Sequence, residues 1–134
     1  MGELRLYCLM RADLNAPVGK LMAQAGHAFL GCISFADKYT GDAYWHNGSQ
    51  PKIVLKVDNL EMLARANKEC VEAEIVTYVV EDEGRTIFKE PTITCLGVGP
   101  VEREKLPTFI QKLLGKSWRG RIFIKSLREN VVWR

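Results

Sequence analysis

Apolar positions come first as a nearly continuous run, Leu4 to Met10, which predicts a strand buried on both faces. A polar stretch from Arg11 to Ala16 leads to Pro17, a residue well placed at the first turn of a helix. From Val18 to about Phe35 the period turns helical, with Val18, Leu21, Met22, Ala25, Phe29, Cys32 and Ile33 on one broad face. Residues 36–50 are polar and turn-rich around Tyr44 and Trp45. Ile53 to Val57 predicts a second strand, after which Asp58 or Asn59 can cap a helix reaching about Cys70. A third strand is expected over Ile75 to Val80, then a turn over Glu81 to Arg85. Thr92 to Val98 predicts a fourth strand, and a helix from about Val101 to Leu114 ends at Gly115.

Strands that alternate with helices predict a mostly parallel sheet with helices on both faces, and the one direct strand-to-strand link adds an antiparallel member. At 134 residues, 47% of them hydrophobic, the chain can bury a single core without disulfide or metal staples. The net charge of +3 is too mild to imply a nucleic-acid partner by itself, but it is unevenly placed. Residues 1–115 hold thirteen basic against fifteen acidic side chains, whereas residues 116–134 hold six basic residues (Lys116, Arg119, Arg121, Lys125, Arg128, Arg134) against Glu129. The four cysteines, Cys8, Cys32, Cys70 and Cys95, sit in apolar stretches without Cys-x-x-Cys spacing, which suits buried free thiols rather than a zinc site or a disulfide framework. The start of the chain reads as a strand rather than a leader, and no apolar run approaches the ~18 residues of a membrane span. These features together predict a cytoplasmic protein with no membrane partner.

Two segments carry chemistry. Lys20, Gln24, His27 and Gly31 fall within about 60° of one another on a helical wheel, flanked by Ala23 and Ala28. A solvated helix face usually carries several charges, and this one carries a single lysine. The small residues leave room for another helix or a ligand to approach. The second segment, Glu81-Asp82-Glu83-Gly84-Arg85-Thr86, follows the third strand, at the strand end where open α/β sheets bind ligands. An acid beside a hydroxyl there can activate water or hold a polar substrate, and a plain polar loop remains the alternative. Gly97-Val98-Gly99-Pro100 lacks dinucleotide spacing, and the acids that follow it disfavour a phosphate. The basic tail, with Trp118 and Phe123, can contact phosphates and stack on bases, or form an ordinary solvated edge.

Taken in order, five motifs resemble the type 2 peptidyl-tRNA hydrolase family: Arg11-x-Asp13-Leu14; Gly19-Lys20-x-x-Ala23-Gln24-x-x-His27-Ala28; Gln50-Pro51-Lys52-Ile53-Val54-Leu55-Lys56; Asp82-x-Gly84-Arg85-Thr86; and Thr94-x-Leu96-Gly97-x-Gly99-Pro100. The resemblance covers residues 5–114. It implies an α/β three-layer sandwich, a small mixed four-stranded sheet with helices on both faces, in a domain spanning 1–115; the basic extension over 116–134 lies beyond the family domain, and the resemblance says nothing about it. The implied activity is hydrolysis of the ester between peptide and tRNA, with peptidyl-tRNA as substrate, no metal, no organic cofactor and often a homodimer. Carried over residue by residue, it makes Lys20, Gln24, Asp82 and Thr86 the catalytic candidates, with His27 beside them. Lys52 and Lys56, on one face of their strand, and Arg85 become candidates for tRNA phosphates. The tail is left to contact RNA or a second subunit. Glu83 and Ile87 depart from the family's usual Ala and Gln, and they favour the alternative of a catalytically weak relative serving as an RNA- or protein-binding module.

Overall fold

The computed structural model describes residues 2–46, 48–117 and 131–133, with residues 115–117 and 131–133 described by backbone alone. The basic tail's side chains, and the Arg121–Lys125 run within it, lie outside the described residues. In chain order the elements are β1 (Leu4–Arg11), α1 (Val18–Phe35), α2 (Lys38–His46), β2 (Lys52–Val57), α3 (Leu60–Glu72), β3 (Thr77–Asp82), β4 (Thr92–Glu102), a 3₁₀ turn (Arg103–Lys105), α4 (Thr108–Ser117) and β5 (Val131–Trp133). The α3 cap is Asn59, whose side chain accepts from the Met62 N–H at 2.9 Å.

The strands form one sheet in the order β3-β4-β1-β2-β5. The four expected strands make its body, and the short β5 pairs antiparallel with β2 at the edge. The sheet is mixed, but it is not mostly parallel. Among the described residues only β1 and β2 pair in parallel; β4 is antiparallel to both β1 and β3. β1, β2 and β3 do run the same way, as the alternating order predicts. β4 inserts between β1 and β3, and this converts what would be a parallel neighbour pair into two antiparallel ones.

Alternation along the strands splits the core between two faces. Tyr7, Leu9, Ile53, Leu55, Leu96 and Val98 pack with Leu63, Ala66 and Cys70 of α3 and Ile110 and Leu114 of α4. Cys8, Met10, Val80 and Cys95 pack beneath Ala25 and Ala28 of α1, and Leu6 packs with Cys32 of α1 and Tyr44 of α2. The result is the expected three-layer sandwich. All four cysteines are free and buried. Burial pushes the Cys32 and Cys70 thiols up to about 12, which removes them as nucleophiles. No helix among the described residues is long and apolar enough to cross a membrane.

Several local expectations shift once tertiary pairing is included. β4 continues past Val98 to Glu102 because Val101 and Glu102 pair with Arg5 and Leu4 of β1. The last helix therefore starts at Thr108 rather than near Val101, with the Pro107 carbonyl accepting from Ile110 and Gln111, and it runs through Gly115 to Ser117. β3 extends to Asp82, with a register shift after Val80, so Glu81 and Asp82 belong to a strand and not to a turn. The buried face of α1 is also rotated. Val18 and Met22 are exposed, while Gln24, Ala25, Ala28, Gly31 and Cys32 are buried. What approaches the small-residue stripe is the sheet itself. A Cβ on Gly31 would lie 2.2 Å from the Tyr78 ring, and one on Gly97 would lie 2.6 Å from the Ala28 carbonyl oxygen.

Candidate active site

The close approach of α1 to β3 and β4 brings the two chemistry-bearing segments together. Lys20, one turn into α1, donates from Nζ to Asp82 Oδ1 at 2.6 Å and to Thr86 Oγ1 at 3.2 Å. Gln24, one turn further and 3% exposed, donates from Nε2 to the same Asp82 oxygen at 3.3 Å. The other carboxylate oxygen accepts the Gly84 N–H at 2.9 Å. Gly84 holds φ at +81°, and a Cβ there would also meet the Glu90 backbone at 2.2 Å, so glycine is required for this turn. The Lys20 ammonium also lies 5.9 Å from the centre of the Phe88 ring.

Asp82 is therefore a carboxylate with three of its roughly four acceptor positions occupied. Its pKa is held below the ordinary carboxylate value of 3.8, first by the hydrogen bond from Lys20 and then by the Gly84 N–H, against the opposing effect of partial burial. The side chains of Lys20 and Asp82 are 20% and 11% exposed, enough for a substrate to reach them.

Gln24 is oriented from behind. Thr94, fully buried in β4, donates from Oγ1 to Gln24 Oε1 at 2.7 Å, which turns the amide nitrogen toward Asp82. Reversing the amide would set its oxygen against a carboxylate. Thr94 stands in one of the motifs, but sequence reasoning gave it no role. Its signal is a hydroxyl inside an otherwise apolar central strand, where a buried polar group needs a partner.

These groups open into a cavity of about 830 Å³, lined along α1 by Lys20, Gln24, His27, Gly31 and Ser34 and opposite by Tyr78, Val80, Asp82, Arg85 and Thr86. His27 thus shares the cavity, with no hydrogen bond to Lys20, Gln24, Asp82 or Thr86 among the described residues. Arg85 lines it too, ion-paired with Glu83 at 3.0 Å on the exposed rim. Lys52 and Lys56 are not brought to this cavity, because β2 lies beyond β4 and β1 from β3. The Lys52 ammonium donates to the Gln50 carbonyl at 3.0 Å and sits 5.5 Å from the Tyr44 ring centre. Of the two departures, Glu83 is neutralised by Arg85, and Ile87 does not line the cavity. Among the described residues no cluster of His, Cys, Asp and Glu could hold a metal ion.

A buried-edge lysine, amide, carboxylate and hydroxyl converge on one open cavity of a small α/β sandwich, the candidate site of a hydrolase. Residues 4–114 match the family described as peptidyl-tRNA hydrolase PTH2, and the chain belongs to that family. Its relatives include a peptidyl-tRNA hydrolase of Thermoplasma acidophilum, 35% identical over 114 residues, covering 84% of this chain and 94% of that protein. Another, from Methanothermobacter thermautotrophicus, is 36% identical over 73% of this chain and 87% of its own length. A probable peptidyl-tRNA hydrolase 2 of Schizosaccharomyces pombe is 32% identical over 74% of this chain, which spans 49% of that longer protein.

Proposed function

We propose that this protein hydrolyses the ester joining a peptide to the 3′ end of tRNA. The observation that carries this reading is the Lys20–Asp82–Thr86 contact set with Gln24 behind it, formed from the motifs of a peptidyl-tRNA hydrolase family. Water attacks the ester carbonyl carbon, the bond to the ribose oxygen breaks, and that oxygen leaves with a proton. Lys20 has one donor beyond the two spent on Asp82 and Thr86, and it stabilises the developing oxyanion in a partly desolvated site. The remaining acceptor position of Asp82 receives the proton of the attacking water and returns it to the leaving ribose oxygen. Thr86 positions that water. Its oxygen already accepts from an ammonium, which makes it a poor nucleophile. Gln24, held by Thr94, orients Lys20 and the substrate carbonyl through Asp82. His27 and Arg85 complete the wall on the substrate side, while Lys52 and Lys56 reach only the body of the tRNA.

Incubation with purified peptidyl-tRNA should release free peptide and deacylated tRNA without added metal. Binding without release would instead establish the binding-module alternative. The rate should also show no acid limb from Asp82 above about pH 5. The pKa of Asp82 is depressed on folding, so its charge persists as pH falls until the folded value, below 3.8, is crossed. An acid limb near neutrality that vanishes in Asp82→Asn would contradict the assigned pairing.

A cytoplasmic location and a homodimer belong to the same reading. The first is supported by four free thiols, the second by the exposed apolar side chains of Phe35 and Tyr39. The basic extension is assigned to tRNA attraction. Because β5 pairs with β2, charge removal tests this better than truncation. Replacing Arg119, Arg121, Lys125 and Arg128 by Gln should weaken tRNA binding and lower the log-log salt slope by up to about 3. An unchanged slope would assign the extension to packing.

A further inference from the structure

The cavity is longer than an ester needs. Its α1 wall runs from Lys20 to Ser34, about 21 Å at the helical rise, or about six residues of extended chain. The opposite wall is β3, running antiparallel to α1 so that Asp82 meets Lys20 and Tyr78 meets Gly31. β3 is also an edge of the sheet. The Gly99 N–H donates to the Val76 carbonyl, so in the alternating antiparallel ladder Tyr78 and Val80 bond to β4 while the main chain of Thr77 and Val79 faces outward. Among the described residues nothing pairs with those outward groups.

We propose that this edge is the peptide subsite, where the peptide of the substrate lies extended as a strand added to β3. Its C-terminal carbonyl sits at Lys20 and the chain leads back toward Tyr78, parallel to β3. The inference rests on the hydrolase reading and adds how the substrate is held. Main-chain pairing with the edge holds the peptide through its backbone, whatever side chains it carries. The charge pattern favours peptide over RNA here. Away from the ester, the walls are His27, Leu30, Gly31, Ile33, Ser34 and Tyr78; Lys20 is paired with Asp82 and Arg85 with Glu83, which leaves Glu81 as the lining charge outside an ion pair among the described residues. The Tyr78 ring also neighbours Phe35, with ring centres 5.8 Å apart.

The test compares kcat/KM for N-acetylaminoacyl-tRNA and hexapeptidyl-tRNA carrying the same last residue on the same tRNA. The hexapeptide should be cleaved about tenfold faster, as two or three net hydrogen bonds allow. N-methylating alternate amides of that peptide should abolish most of the gain. Val79→Pro, which removes an outward N–H at an edge position where proline is tolerated, should depress the hexapeptide value likewise. Equal values for both lengths would overturn the proposal and leave the groove to the 3′ nucleotides of the tRNA. A gain that survives N-methylation would also overturn main-chain pairing. Failure to cleave either substrate would overturn the hydrolase reading itself.

Discussion

Lys20→Ala should lower kcat/KM for peptidyl-tRNA by on the order of 10²–10³, the usual effect of removing one preorganised donor from an oxyanion site. Asp82→Asn should cost on the order of 10²–10⁴, because it removes both the proton acceptor and the charge that anchors Lys20. The reason is geometric as much as chemical. Lys20 Nζ bonds Asp82 and Thr86 at once, so Lys20→Ala releases both, whereas Asp82→Asn takes the anchoring charge from Lys20 and leaves Gln24 facing an amide. The double variant should therefore be little worse than the more damaged single one, as for residues acting as a unit. Circular dichroism and thermal melting should stay close to the parent, since both side chains retain contact with solvent and neither belongs to the apolar clusters. Near-parental turnover in either single variant would dismiss the assignment.

What the sequence carries most legibly is what is local. The helical period from Val18 to Phe35 is bounded as read, the Asn59 cap stands where turn residues put it, and the four main strands exist in the order read, with β3 displaced two residues from Ile75–Val80 to Thr77–Asp82. The stripe of Lys20, Gln24, His27 and Gly31 is also local, since 3.6-residue spacing alone lines it up, and Ser34 simply extends it. Strand order is not local. Nothing in the period of Thr92 to Val98 says that this strand slides between β1 and β3, and the same ignorance ended the strand too early and began the last helix too soon. The broad apolar face assigned to α1 failed for a related reason. Ranking positions by hydrophobicity favours Val18 and Met22, but a helix lying almost on the backbone of a sheet buries Ala, Gly and Cys instead. Thr94 went unassigned because its partner, Gln24, is seventy positions away.

Gly97→Val should be the most destructive substitution in the core, and the one that links fold to site. A Cβ at this position would stand 2.6 Å from the Ala28 carbonyl oxygen and 2.7 Å from Cys32 Sγ. The sulfur could shift, but the carbonyl belongs to α1 and moves only if the helix lifts. Valine adds two methyl groups to that conflict. Overpacking of this kind typically costs 1–3 kcal/mol, and the backbone contact places Gly97→Val at or above about 3 kcal/mol. That is about 10 °C in the melting midpoint for a chain of this size. Cys32→Ala added to it should recover only part of the loss, since the carbonyl contact persists. Gly26→Ala, in the same helix with nothing within 4 Å of the added carbon, should instead be neutral or stabilising by up to about 1 kcal/mol. Any Gly97→Val protein that folds should also be slow, because lifting α1 draws Lys20 and Gln24 away from Asp82. A variant that melts with the parent would mean that α1 stands farther from β4, and the site geometry would have to be rebuilt on that wider spacing.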